Sequence, residues 1–255
     1  MRRLVPAIVA LAVLAGCGED EGSGSTPGEN SGRELVVSAA ASLTEALNAC
    51  SRDFEGAEVR LSFGGSDELA AQIRQGVAPD VYAAANMRLP EELADEGLLG
   101  TPVEFATNEL VLALPGDERE IERVEDLAEP GVRLVIGAKT APVGAYTRQV
   151  LGELPPAVEE RILANVRSEE PDVRGVVGKL TLGAADAGFM YLTDLTGELT
   201  AVELPPDLGP TVAYGAGVVE GTAQPELAQR YLDGLVDGPC ADALREQGFG
   251  PPPAG

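Results

Sequence analysis

The sequence holds 255 residues, 44% of them hydrophobic and 24% charged, which is enough apolar material for a sizeable core in one large domain or two lobes. A formal charge of −24 argues against nucleic acid and against an electrostatic membrane footprint as partners. Histidine is absent, which removes the commonest general base and metal ligand.

At the start, Arg2 and Arg3 precede an apolar run from Leu4 to Ala15 that is too short to span a membrane as a mature helix, the pattern of a secretory signal. The run ends in Leu14-Ala15-Gly16-Cys17, which resembles the lipobox of bacterial lipoproteins and implies cleavage before Cys17 and a lipid on its thiol. An ordinary signal peptide with an incidental cysteine is the other reading. Residues 18–32 read as a Gly/Ser/Glu tether too polar to pack. The expectation is a signal at 1–16, a lipidated tether at 17–32, and a domain held at the outer face of the cell membrane.

The rest alternates short apolar strands with amphipathic helices, an α/β pattern. Glu34 to Ser38 reads as a strand, and Leu43, Ala46, Leu47, Cys50 and Phe54 share one face of a helix starting at Ser42, where Ser42 and Glu45 have capping-box spacing. Val59 to Phe63 is a strand, Gly64-Gly65 a turn, and Ser66 the expected cap of a helix carrying Leu69, Ala70 and Ile73 and stopped by Gly76. Strands follow at Val81 to Ala84 and Leu110 to Leu114, the second ending at the turn Pro115-Gly116-Asp117. Further on come a strand at Leu134 to Ile136, a helix at Gly144 to Leu151, a helix begun near Asp172 with Val173, Val176, Val177 and Leu180, and a strand at Gly188 to Tyr191. Val212 to Val219 is the last strand, before helices containing Leu227, Tyr231, Leu235 and Leu244. Two lobes are expected, the chain crossing near Asn108 and returning near Thr211: 33–107 and 211–255 in one, 108–210 in the other. With Cys17 lipidated, Cys50 and Cys240 form an even pair in an oxidising compartment. A disulfide that places both in one lobe and two buried free thiols are the alternatives.

No Gly-x-Ser-x-Gly elbow or phosphate-loop signature is present, and most carboxylates fall on polar helix faces. The expectation is therefore not an enzyme, with no catalytic residue and no cofactor. Small polar residues at strand-to-helix turns stand out instead. A helix N-terminus presents unpaired N–H groups and the positive end of a dipole, so it holds an anion without a formal charge. Ser42 and Ser66 add hydroxyls at two such places, although an isolated serine there is ordinarily just a cap.

The segment Val37-Ser38-Ala39-Ala40-Ala41-Ser42-Leu43-Thr44-Glu45-Ala46 resembles the opening of the molybdate-binding components of ABC importers. Ser62-Phe63-Gly64-Gly65-Ser66, Ala78-Pro79-Asp80-Val81, Phe105-Ala106-Thr107-Asn108, Asp172-Val173-Arg174 and the run from Ala185 to Asp194 are similar to their later blocks, so the likeness covers Leu35 to Phe249. It implies a two-lobed periplasmic-binding-protein fold of type II, each lobe a mixed sheet flanked by helices, with a ligand cleft between the lobes. It implies as oxyanion ligands the hydroxyls and amides of Ser42 and Ser66, the backbone N–H groups of Val143 and Val173, and the phenol of Tyr191. Molybdate or tungstate is the implied cargo, an importer permease the implied partner, and a monomer the implied state.

Two positions depart from the pattern. Asp67 stands where the family has a small neutral residue; it is either a favourable charge in a first helical turn or a group that faces the ligand and accepts the proton of hydrogen phosphate. Gly137-Ala138-Lys139-Thr140 replaces a Gly-Asp-Pro turn, which loosens the assignment of Val143 and raises Lys139, otherwise a solvated lysine, as a second approach to the site. A phosphate or sulfate receptor and an anchored sensor or surface enzyme are the competing functions.

Overall fold

The computed structural model describes residues 32–116 and 121–252. The signal, Cys17, the tether up to residue 31, and Asp117 of the expected turn lie outside the described residues.

In the first part of the chain, β1 (Glu34–Ala40) leads to α1 (Thr44–Ser51), β2 (Glu58–Gly64) to α2 (Ser66–Arg74), and β3 (Val81–Ala84) to α3 (Arg88–Asp95). β4 (Val103–Pro115) then carries the chain across to β5 (Leu134–Gly137), α4 (Pro142–Gly152), α5 (Pro156–Ala164), β6 (Val166–Glu170), α6 (Val173–Thr181), β7 (Ala187–Tyr191) and β8 (Leu199–Glu203). β9 (Thr211–Val218) returns it to α7 (Pro225–Val236) and α8 (Pro239–Glu246). The described strands join in the order β2-β1-β3-β9-β4-β7-β5-β6, with β8 also on β4.

Burial explains which strands are legible. β3 is buried at every position and β1 at all but two, so both read as apolar runs, as central strands do. β2 lies at one edge and alternates exposed with half-buried residues. β6, at the other edge, is Val-Arg-Ser-Glu-Glu, whose polar side chains hide its strand character from a hydrophobic pattern. The sequence reading passes over β6, β8, α3 and α5, of which β6 lacks such a pattern.

β4 differs most from expectation. The strand expected at Leu110 to Leu114 starts at Val103, and the crossing near Asn108 lies inside it. Val103 to Glu109 pair with β9, whereas Leu110 to Ala113 pair with β7. One continuous strand thus serves both halves of the sheet and changes partner between Glu109 and Leu110.

In the first half, α1 turns Leu47 and Cys50 onto Ala243 and Leu244 of α8, and Cys50 is disulfide-bonded to Cys240 across 190 residues. The bridge closes a long loop, the case in which chain-entropy models give the largest constraint on the unfolded state. Beside it the Tyr231 ring stands edge-on to Phe54 at 5.4 Å, and its hydroxyl meets Ser51 Oγ at 2.9 Å.

Candidate functional site

Parallel pairing sets the site. β1 and β2 run side by side with Ala40 opposite Gly64, so the turns that follow, carrying Ser42 and Ser66, leave the sheet at the same edge. In the second half, β5 and β6 are parallel with Gly137 opposite Glu170, and the turns that follow start α4 and α6 at neighbouring points. Tyr191 ends β7. Such crevices beyond the carboxyl ends of strands are where open α/β sheets hold ligands.

These turns meet around one cleft lined by Ala40 to Ser42, Gly64 to Ser66, Ala85, Ala141 to Val143, Pro171 to Val173 and Tyr191. All five residues expected to bind the anion are in that set and buried: Ser42, Ser66, Val143, Val173 and Tyr191. The cavity has a volume of ≈ 20 Å³. A single water needs about 10–15 Å³, so this space suits one small species and not a sugar or a peptide.

The serines take up positions other than those expected. Ser42 does not cap α1: β1 runs on to Ala40, Ala41–Leu43 form a 3-10 turn, and α1 starts at Thr44, whose hydroxyl donates to the Ala41 carbonyl at 2.6 Å. Glu45 does not complete a capping box either, because its carboxylate pairs with Arg174. The Ser42 hydroxyl lies 3.0 Å from that of Tyr214, on β9. Ser66 is the first residue of α2, and Gly65 takes the cap position. Its hydroxyl oxygen accepts the Ala85 amide at 3.1 Å, leaving its hydrogen unspent, while its carbonyl accepts the Tyr82 hydroxyl at 2.7 Å.

The second half contributes backbone. α4 opens on Pro142, which has no N–H to lose, and its first intrahelical bond runs from Ala145 to Ala141, so the Val143 and Gly144 amides have no partner within the helix. At α6, Asp172 is the cap, accepting the Gly175 amide at 3.0 Å and leaving those of Val173 and Arg174. Gly144 is required by closeness: a Cβ there would sit 2.0 Å from the Ala138 carbonyl, so glycine lets α4 seat on the end of β5. That close seating holds the Val143 amide at the cleft although the turn before it departs from the family pattern. Lys139 is exposed and not among the lining residues.

Tyr191 carries the clearest signal. Its hydroxyl is buried with no hydrogen-bond partner among the described residues, and burial pushes its pKa well above the ordinary value, so it stays a donor. A buried orphan of this kind requires an explanation, and a bound acceptor supplies one.

No lysine or arginine lines the cleft, and Asp172 is the one acidic residue that does. Asp67, in the first turn of α2, is not on the lining; its Oδ1 is buried without a partner. Across the mouth, Arg174 pairs with Glu45 and donates to the Ala41 carbonyl at 3.3 Å, joining the two halves. Behind it, burial raises the Asp194 carboxyl to about 7; Arg174 opposes that rise, and Glu45 and Asp172 add to it. Gly65 and Pro171 also meet across the cleft: a Cβ on Gly65 would lie 2.7 Å from the Pro171 carbonyl. Gly65 has an ordinary extended backbone, so contact between the halves is what requires glycine there. The sequence reading missed Tyr214, Asn108 and Gly65 as parts of the site, because their roles exist only through partners distant in the chain. Among the described residues no group of His, Cys, Asp and Glu could hold a metal ion, and no helix is long and apolar enough to cross a membrane.

Comparison with known proteins bears on the family and the fold. Residues 35–250 match the family model described as bacterial extracellular solute-binding protein. The molybdate-binding protein ModA of Mycobacterium tuberculosis is 34% identical, the match covering 98% of this chain and 97% of that one. A putative ABC transporter substrate-binding lipoprotein of Bacillus subtilis is 26% identical, covering 96% of each chain. The structure of the periplasmic molybdate-binding protein of Azotobacter vinelandii superposes with a TM-score of 0.75 at 23% identity, over 86% of this chain and 99% of that one, and shows the same periplasmic-binding-protein fold. The chain is a member of the bacterial extracellular solute-binding protein family.

Proposed function

We propose that this protein captures molybdate, and tungstate with it, outside the cell membrane and delivers the anion to the permease of an ABC importer. The observation that carries the reading is the Tyr191 hydroxyl, buried and unpartnered among the described residues on a cleft of ≈ 20 Å³ that also presents serine hydroxyls and helix-start amides, with Asp172 the one carboxylate. Molybdate is fully deprotonated at neutral pH and offers only acceptors, so a site of donors matches it. Sulfate has the same charge but is smaller and cannot reach all the donors together. The name of the Mycobacterium tuberculosis relative supports the same cargo.

Residues 33–107 with 211–255 form one lobe and 108–210 the other, and the anion is shared by donors from both: Ser42 and Ser66 against Val143, Val173 and Tyr191. An anion that binds the closed form better shifts the population toward it, and the permease reads that shape. Cys17 carries the lipid that holds this monomer at the membrane, as the lipoprotein named in Bacillus subtilis suggests. The protein turns over no substrate and needs no cofactor.

Calorimetric titration tests the reading. Molybdate and tungstate should bind 1:1 and tightly, and sulfate much more weakly; sulfate binding as strong as that of molybdate sinks it. The second reading is a receptor for hydrogen phosphate, favoured by the one carboxylate on the lining, Asp172. Asp172→Asn keeps the cap on α6 but removes the proton acceptor, so in that case it abolishes phosphate binding.

A further inference from the structure

We infer that Asn108 and Tyr214, neither of which lines the cleft, fix the direction of the Ser42 hydroxyl and so set the preference of the site for fully deprotonated over protonated tetrahedral anions. The inference rests on the molybdate reading and deepens it.

The argument starts from hydrogens. The Asn108 side-chain oxygen accepts the Glu109 amide at 2.9 Å, which settles which end of the amide is nitrogen. That nitrogen donates to Thr193 Oγ1 at 2.8 Å and to the Tyr214 hydroxyl at 3.4 Å. An amide nitrogen only donates, so Tyr214 is an acceptor in this bond and its own hydrogen remains to be placed. Tyr214 is fully buried, and its other hydrogen-bond partner among the described residues is Ser42 Oγ, at 3.0 Å. A buried hydroxyl hydrogen left without an acceptor is costly, so it goes to Ser42. The Ser42 oxygen is then engaged, and its hydrogen is free to point into the cleft. Burial holds the Tyr214 phenol far above its ordinary pKa, so the chain of bonds keeps this direction at any ordinary pH.

The consequence concerns the ligand. A hydroxyl that already accepts one buried hydrogen bond and points its hydrogen at the anion keeps one lone pair, so toward the cleft it is a better donor than acceptor. Hydrogen phosphate brings a proton that needs an acceptor, and Ser42, already accepting from Tyr214, is a poorer one. Ser66 is held the same way by the backbone amide of Ala85, which no side-chain substitution removes. Ser42 is held by two side chains, so its direction can be released by substitution.

Tyr214→Phe removes the hydrogen donated to Ser42 and so frees a second lone pair on that oxygen. Titrating wild type and variant with molybdate, sulfate and inorganic phosphate at pH 8 should show the molybdate-to-phosphate affinity ratio falling about tenfold or more, with the molybdate-to-sulfate ratio unchanged. A mere loss of packing weakens all three anions by one factor. Asn108→Leu frees the Tyr214 hydrogen bond from its imposed direction and should move the same ratio the same way; it decides the matter if Tyr214→Phe does not fold. Ratios that stay at the wild-type values in the folded variants overturn this inference and leave the molybdate reading intact. A wild-type protein that binds none of the three anions overturns both.

Discussion

The two sides of the cleft solve the same problem with different groups. The first half presents hydroxyls, Ser42 and Ser66, each with its oxygen tied to a buried neighbour, Tyr214 or the Ala85 amide. The second half presents the amides that open α4 and α6, together with groups left unsatisfied: the Tyr191 hydroxyl and Asp194 Oδ2 are both buried without a partner. The difference teaches where strain and affinity sit. The serine oxygens hold buried neighbours before any anion arrives, whereas the Tyr191 hydroxyl gains a partner when one does.

Removing the hydroxyl side should do the most damage. The double variant Ser42→Ala, Ser66→Ala loses two hydrogen bonds to a charged group, about 1.5–3 kcal/mol each, so molybdate affinity should fall about a hundredfold or more by calorimetry. A drop of less than tenfold would mean that the hydroxyls are caps and nothing else.

The unsatisfied side should show itself in pH dependence. Asp194 has its folded-state pKa raised to about 7, against roughly 4 in an unfolded chain. Between those values the folded protein retains a proton that the unfolded chain has lost, so Asp194 lowers stability as pH climbs from about 4 to about 7 and adds nothing further above that. Asp194→Asn should remove a decline on the order of 4 kcal/mol from the stability curve over that window. Parallel curves for wild type and variant, followed by thermal unfolding, would assign the effect elsewhere.

Contact between the sides is tested at Gly65. Gly65→Ala places a methyl group 2.7 Å from the Pro171 carbonyl, and an overpacking cost of about 1–3 kcal/mol should weaken molybdate about ten- to a hundredfold. The melting temperature of the unliganded protein should move little, because the clash needs a closed cleft.

The smallest effects sharpen the contrast. Tyr191→Phe should weaken molybdate about tenfold without lowering the stability of the unliganded protein, since its hydroxyl has no bond to lose. Val143→Ala should leave affinity within about twofold while lowering stability, because a buried side chain shrinks and the N–H stays in place. Equal affinity losses for Ser42→Ala and Val143→Ala would dissolve the distinction between the two sides.

Much of this was open to reading in the residues. Helical spacing in Leu43, Ala46, Leu47 and Cys50, the glycine stop at Gly76 with its φ of +95°, and the cap at Asp172 all arise within a few residues, where local sterics and backbone hydrogen bonding decide. The five lining positions were named from the resemblance, and the fold gathers them around one cleft. The polar strand β6 escaped notice because edge position relaxes the demand for apolar side chains.

By itself, then, the sequence determined where strands and helices alternate and which turns carry hydroxyls, because these follow from local periodicity. The tertiary structure alone decided that β4 is a single strand shared by both halves, that Cys50 is bonded to Cys240, and that Gly65 meets Pro171. It also decided which way the Ser42 hydroxyl points. A hydroxyl has no direction of its own; Ser42 receives one from Tyr214, 172 residues away, and only folding brings the two within 3.0 Å.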